Sequence, residues 1–209
     1  MTKYQFWKIY EMVQRAGYQS EVDWSENLKP CDSADKFWNE YAWVVLNAGM
    51  KEQIARVIWE RIKTALRELQ DISEVYKHKG KADAIRSMLL NRRKTFEEYQ
   101  KCPNDRKLEW LETLPYIGKV TKYHLAKNLG VDIYKPDRHL VKIADYYKTT
   151  PRALCEKLSK ETGMRIATVD GILWRAANLG LNELWLAVDT GVPVKEQRQG
   201  QKALFEAKQ

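Results

Sequence analysis

The stretch Leu114-Pro115-Tyr116-Ile117-Gly118-Lys119-Val120-Thr121-Lys122 carries the strongest chemical signal in the chain. It reads as the end of one helix, a tight turn containing a glycine, and the start of a second helix at Lys119. A helix opening after such a turn presents consecutive unpaired backbone N–H groups, backed by the positive end of the helix dipole, and suits a phosphate oxygen. Gly118 leaves room for a polyanion backbone to come close, because a side chain there would stand in the way. Lys119 and Lys122 add charge, and Thr121 offers a hydroxyl donor. Such contacts hold a sugar-phosphate backbone without reading its sequence. The same spacing also occurs in a plain helix-turn-helix connection of a bundle.

A second group of side chains has types suited to catalysis. Asp137, directly after Pro136, stands at a predicted helix start. There it either caps the helix or stabilises a cation, activates water or takes a proton from an attacking amine. His124, on the helix after the hairpin, is of the type that moves protons near neutral pH, or else it packs behind the hairpin. His139 lies two residues after Asp137 and is read as structural. Glu40, Tyr41 and Trp43 precede Asn47 and Met50; they either line a base-sized pocket or form core at helical spacing. Met50 is read as an apolar wedge or as core packing. Trp174 is read as core and Arg175 as a backbone contact.

Rigid elements must position these groups, and hydrophobic periodicity predicts helices almost throughout. Tyr4 to Ala16 reads as a helix ended by Gly17, and residues 18–32 as a polar loop anchored by Trp24. Ser33 is a good N-cap for a helix whose face carries Phe37, Trp38, Tyr41, Val44 and Val45 up to Gly49. Lys51 to Leu69 repeats Ile54, Val57, Ile58, Ile62, Ala65 and Leu66, an amphipathic pattern. From Lys77 to Lys94 the chain has seven basic residues (Lys77, Lys79, Lys81, Arg86, Arg92, Arg93, Lys94) against Asp83. That run reads either as a solvated face or as a track for phosphates. The hairpin unit covers 104–128 and Gly130 closes it. Further helices are expected from about Asp137 to Tyr147, from Pro151 (capped by Thr150) to Gly163, and from Ile166 to Leu179 before Gly180. No β-branched alternation interrupts this pattern, so the expected class is all-α. One domain is expected over 1–190, followed by a polar frayed tail, 191–209.

Composition narrows the function classes. The chain has 209 residues, 44% of them hydrophobic, and a formal net charge of +8, with a pI near 9.2. That surplus attracts polyanions, of which nucleic acid is the commonest. Cys31, Cys102 and Cys155 lie far apart, without C-x-x-C spacing, and read as reduced thiols rather than as zinc, iron–sulfur or disulfide sites. No metal is expected. No stretch approaches the roughly 18 apolar residues of a membrane span, and Met1 to Tyr10 has no apolar signal core, so the expected compartment is the cytoplasm.

The run from Leu114 to Ala144, LPYIGKVTKYHLAKNLGVDIYKPDRHLVKIA, resembles the helix-hairpin-helix/Gly-Pro-Asp core of the DNA glycosylase superfamily. The resemblance covers about 30 residues closely and implies a bilobal, all-helical fold for most of the chain. It implies double-stranded DNA as partner, gripped through Tyr116, Gly118, Lys119, Val120, Thr121, Lys122 and Arg138. Asp137 would face an extruded base, with His124 assisting; Glu40, Trp43, Asn47 and Met50 would border the base pocket. Extruding a base costs a few kcal/mol, least for an abnormal base.

Three departures qualify this. Bifunctional members carry a Schiff-base lysine directly before Thr121, where this chain has Val120. The family's iron–sulfur cysteines are missing. Repair members place a glutamine-containing turn where this chain has Leu46-Asn47-Ala48-Gly49-Met50. The segments WVVLNAGMKEQ, TKYHLAKN, KPDRHLVKIA and TVDGILWRAANLG resemble more a phage-associated branch, the amino acid:DNA transferases related to alpha-glutamyl/putrescinyl-thymine pyrophosphorylases. That implies transfer of an amine such as glycine onto the 5-methylene of a modified thymine with loss of phosphate, which Lys119, Lys122, Lys135 and Arg138 would steady. No cofactor is implied, the expected setting is the cytoplasm of an infected bacterium, and the default is a monomer. The other expectations are a glycosylase without lyase activity and, last, a DNA-binding module without catalysis.

Overall fold

The structure, a computed structural model, describes residues 1–180; the expected tail 191–209 and the end of the domain at 190 lie outside them. In chain order the helices are α1 (Lys3–Arg15), α2 (Gln19–Asn27), α3 (Ala34–Asn47), α4 (Glu52–Arg67), α5 (Ile72–Val75), α6 (Lys79–Lys101), α7 (Lys107–Glu112), α8 (Thr121–Asn128), α9 (Arg138–Tyr146), α10 (Pro151–Thr162) and α11 (Ile166–Asn178). A single 3-10 turn, Asn104–Arg106, leads into α7, and there is no strand among the described residues. They form two compact units, one of Leu28–Pro136 and one of Met1–Asn27 with the chain from Asp137 onward.

In the unit of Leu28–Pro136, α3 is the central helix, packed against α4, α6 and α8. Ser33 starts it by accepting the Lys36 N–H, and its apolar face buries Phe37, Trp38, Tyr41, Val44, Val45 and Leu46. Each large apolar side chain buried in this way contributes about 1.5–3 kcal/mol. Two polar contacts fix the register: the Trp38 indole N–H donates to the Ile85 carbonyl at 3.0 Å, and the Tyr41 hydroxyl donates to the Pro115 carbonyl at 2.8 Å. Behind the hairpin, Gly130 turns the chain at φ 89. A Cβ at Gly130 would sit 2.5 Å from the Lys29 carbonyl oxygen, while the neighbouring Cys31 N–H donates to the Leu129 carbonyl at 2.9 Å. Glycine is therefore required there both by conformation and by close approach of two backbones.

In the other unit α11 is central, burying Val169, Ile172, Leu173 and Ala176 against α1, α2, α9 and α10. Gly163 closes α10 in the left-handed conformation, as its position in the sequence implies.

Several sequence expectations change. Residues 18–32 are not all loop, because α2 occupies Gln19–Asn27. Its single buried residue, Val22, gives no apolar stripe, and the helix is held by ion pairing instead. Glu21 accepts from Arg175 at 2.6 and 2.9 Å, and Glu26 accepts the Arg165 N–H. Trp24 is exposed and anchors nothing. Arg175 is thus a buried, ion-paired side chain lying 4.2 Å from the Tyr18 ring, not a backbone contact, and Trp174 is only half-buried. On α4, Ile62 and Ala65 are buried and Ile58 and Leu66 pack partly against the core, as the spacing indicated, but Ile54 and Val57 at its start are exposed and Ala55 is buried there instead.

Gly130→Ala is expected to lower unfolding stability by at least about 2 kcal/mol, from left-handed strain plus overpacking, read as a reduced urea midpoint with an unchanged slope.

Candidate nucleic-acid interface

The hairpin joins α7 to α8. Leu114 and Ile117 are buried and pin the turn to the core, while Tyr116 (47% exposed) and Val120 (41% exposed) face outward. Tyr116 holds φ 61, a left-handed conformation uncommon for an aromatic residue. Two contacts hold it there. Its ring meets His78 edge-on with centroids 6.0 Å apart, and its hydroxyl fills the space where a side chain at Gly80 would stand. The Tyr41 bond to the preceding Pro115 carbonyl fixes the turn from below; burial there raises the Tyr41 hydroxyl pKa well above the phenol range.

α8 begins at Thr121, two residues later than the sequence spacing suggested. The Gly118 N–H donates to the Thr121 hydroxyl oxygen at 2.7 Å, so that hydroxyl is used within the turn rather than offered outward. Lys122 N–H bonds Gly118 O at 3.0 Å. Among the described residues, the backbone N–H groups of Lys119, Val120 and Thr121 have no acceptor. Three adjacent donors at the opening of a helix are an arrangement that suits an anion. A Cβ at Gly118 would meet no protein atom, so neither packing nor backbone angle requires glycine there. Lys119 is exposed beside these donors. Lys122 is not available as expected: its ammonium is paired with Glu112 and mostly covered, a bond that raises its pKa.

The remaining expected site residues separate into groups. In the unit of Leu28–Pro136, Glu40 and Asn128 meet across α3 and α8, the Asn128 amide donating to the Glu40 carboxylate at 2.8 Å. Burial raises the pKa of that carboxyl, opposed by the Asn128 bond. Glu40 is therefore a tie between helices. Trp43 is half-buried, with the Arg56 guanidinium 5.7 Å from its ring, and Met50 packs partly against the core. Asn47, the last residue of α3, makes no side-chain hydrogen bond among the described residues.

His124 sits one turn before Asn128 on α8. Burial, with the cations of Lys135 and Lys127, lowers its pKa to about 3. This favours the uncharged imidazole at neutral pH, a form that is a weak base. In the other unit Asp137 is the N-cap of α9, its Oδ1 accepting from His139 N–H at 2.9 Å and Leu140 N–H at 3.1 Å. Arg138 is exposed beside it.

The basic run becomes the first two-thirds of α6 and divides. Arg86 pairs with Asp71 and Asp83, and Arg92 with Asp35, leaving Lys77, Lys79, Arg93 and Lys94 exposed. Lys81 is buried, and its ammonium donates to the Ala48 carbonyl at 2.7 Å. Sequence analysis missed this residue, although the signal was present: Lys81, Ile85 and Met88 share one helical face, and that face is core. No cluster of metal-ligating side chains occurs among the described residues, none of the three cysteines is in a disulfide, and no described helix is long and apolar enough to cross a membrane.

No protein-family model matches this chain, and no curated protein matches it significantly in sequence. A solved structure does match: the 8-oxoguanine glycosylase/lyase of Methanocaldococcus jannaschii in complex with a 15mer DNA containing 8-oxoguanine. The TM-score is 0.58 at 17% identity, over 83% of this chain and 96% of that one. The two share a fold. This chain is an all-α protein of the helix-hairpin-helix glycosylase architecture.

The His124 ring is expected not to titrate in NMR spectra between pH 8 and 5. An unfolded histidine binds its proton near pH ~6.5 and the folded one only near about 3. Below pH ~6.5 the unfolded state therefore takes up a proton that the folded state refuses, and stability falls as pH drops through that window. His124→Gln should flatten that part of the pH–stability curve.

Proposed function

We propose that this protein is an enzyme that grips duplex DNA with the α7–α8 hairpin and acts on an extruded base without forming an imine. The observation that carries the reading is the row of unpaired amides at Lys119, Val120 and Thr121 beside a glycine that the protein's own packing does not need. A phosphate oxygen is the ligand such donors fit, and a bare glycine lets the strand come close. The net charge of +8 supports the same partner. The neighbouring fold supports it too, since that glycosylase/lyase holds DNA.

Asp137 is the proposed catalytic carboxylate. Its backbone bonds fix the orientation of the group, as a reacting carboxylate requires. Two reactions fit it. In a glycosylase, Asp137 activates water for attack at C1′ and stabilises the developing sugar cation; the C1′–N bond breaks and the base leaves with the electron pair, taking up a proton. In a transferase, Asp137 takes a proton from an amine such as glycine. The nitrogen then bonds the 5-methylene carbon and the C–O bond to phosphate breaks, with the charge of the leaving phosphate met by Arg138 beside Asp137. The structural neighbour supports the first reaction; the motifs WVVLNAGMKEQ and KPDRHLVKIA support the second. With Val120 beside the hairpin there is no amine at that position for lyase chemistry. Asn47, Trp43 and Met50 at the end of α3 are proposed to border the base.

Three experiments test this. Gly118→Ala should leave the melting temperature unchanged yet weaken duplex binding about tenfold, near 1.4 kcal/mol; unchanged affinity would remove the hairpin from the interface. With a duplex containing 5-phosphomethyl-uracil and glycine, a transferase yields a heavier nucleoside and no alkali-labile site, whereas a glycosylase yields alkali-dependent breaks. Asp137→Asn keeps the helix cap, since asparagine caps as well as aspartate, and should abolish either product while sparing duplex binding. Turnover retained in that variant would take Asp137 out of the mechanism.

A further inference from the structure

The end of α3 is a tight turn whose orientation is set from outside it. Ala48 has φ −60 and ψ 115, Gly49 has φ 77, and the Met50 N–H donates to the Asn47 carbonyl at 3.1 Å. These are the angles and the bond of a type II turn, which differs from type I by a flip of its central peptide. A Cβ at Gly49 would touch nothing within 4 Å, so the positive φ alone calls for glycine there.

The central peptide carries the Ala48 carbonyl on one edge and the Gly49 N–H on the opposite edge, because a trans peptide points the two in opposite directions. The Lys81 ammonium, buried on α6, holds the Ala48 carbonyl at 2.7 Å. With the carbonyl drawn inward, the N–H of exposed Gly49 turns outward, and it has no acceptor among the described residues. Two residues earlier, the Asn47 carboxamide is also without a partner among the described residues. Lys81 is a costly way to close a helix: burial lowers the pKa of its ammonium, and a buried cation must be repaid by the contact it makes. A solvated turn or a side-chain amide would satisfy one carbonyl without that cost. What the lysine adds is a fixed direction for the peptide plane.

We propose that Lys81 is a positioning residue that locks the Ala48–Gly49 peptide in its type II orientation, so that the Gly49 N–H and the Asn47 carboxamide stand ready as paired donors to acceptor atoms of a nucleic-acid strand. This rests on the DNA reading above. The donors are neutral and close in sequence, suited to a base edge or sugar oxygen rather than to a phosphate.

The test uses the full 15N-labelled chain and a duplex with one tetrahydrofuran abasic site, against the same duplex intact. Addition of the abasic duplex is expected to shift the Gly49 amide and the Asn47 side-chain NH2 resonances together with the hairpin amides. In Lys81→Met the hairpin amides still shift, the Gly49 and Asn47 responses are lost, and affinity for the abasic duplex falls about tenfold, the size of one lost hydrogen bond. Lys81→Arg restores both. Should Lys81→Met fail to fold, Gly49→Ala, which opposes the type II conformation with Lys81 intact, is expected to show the same loss. Hairpin amides that respond while Gly49 and Asn47 stay still in the unmodified protein, or Gly49 and Asn47 responses that persist in Lys81→Met, would overturn the proposal. If no hairpin amide moves, the DNA reading itself fails and the proposal with it.

Discussion

The bond from the buried Tyr41 hydroxyl group to the Pro115 carbonyl, partly covered, is the contact on which the hairpin depends. It spans from the middle of α3 to the first residue of the turn, and it satisfies a carbonyl that a proline-containing turn leaves without a ladder partner. Once that carbonyl is fixed, Leu114 and Ile117 seat in the core, Tyr116 is held at φ 61, and the three amides that follow have no protein acceptor to turn to. The free donors result from a turn anchored at its start and capped internally by Thr121. Their exposure is a property of the packing, not of the loop alone.

α3 is involved in every part of the unit. Through Tyr41 it supports the hairpin, through Glu40 it ties the far end of α8, through Trp38 it registers α6, and at Ala48 it receives Lys81 back from α6. A helix so tied on several sides moves as one body with its neighbours, which is what a pair of separated contact edges requires if both are to meet one ligand.

The charge distribution is more selective than the composition. A net +8 describes the whole chain, yet Lys122, Arg86, Arg92 and Arg175 are each committed to an acid partner. The more exposed of these, the pairs of Arg86 and Arg92, contribute only about 0–1 kcal/mol each. Their larger effect is to withdraw cations from the surface, while others such as Lys77, Lys79, Arg93, Lys94 and Lys119 stay exposed. His124 follows the same logic: surrounding cations and burial keep it neutral, and it contributes no charge to that field.

The sequence by itself determined the helical class, the caps at Ser33, Thr150 and Gly163, the hairpin and its glycine, and the helix start at Asp137. Each of these is a local matter of backbone angles, hydrogen-bond supply within a few residues, or apolar spacing along one helix. Tertiary structure alone decided α2, whose helix rests on distant partners Arg165 and Arg175, and the first turns of α4, where Ala55 is buried and Ile54 and Val57 are not. It also decided which cations are free, that His124 is uncharged, that Glu40 ties two helices, and that Lys81 lies inside. Those outcomes turn on which side chain from afar reaches a given group and how much water is left around it. Neither quantity has a signature in the order of residues along the chain, because burial and pairing belong to the assembled surface and not to the segment.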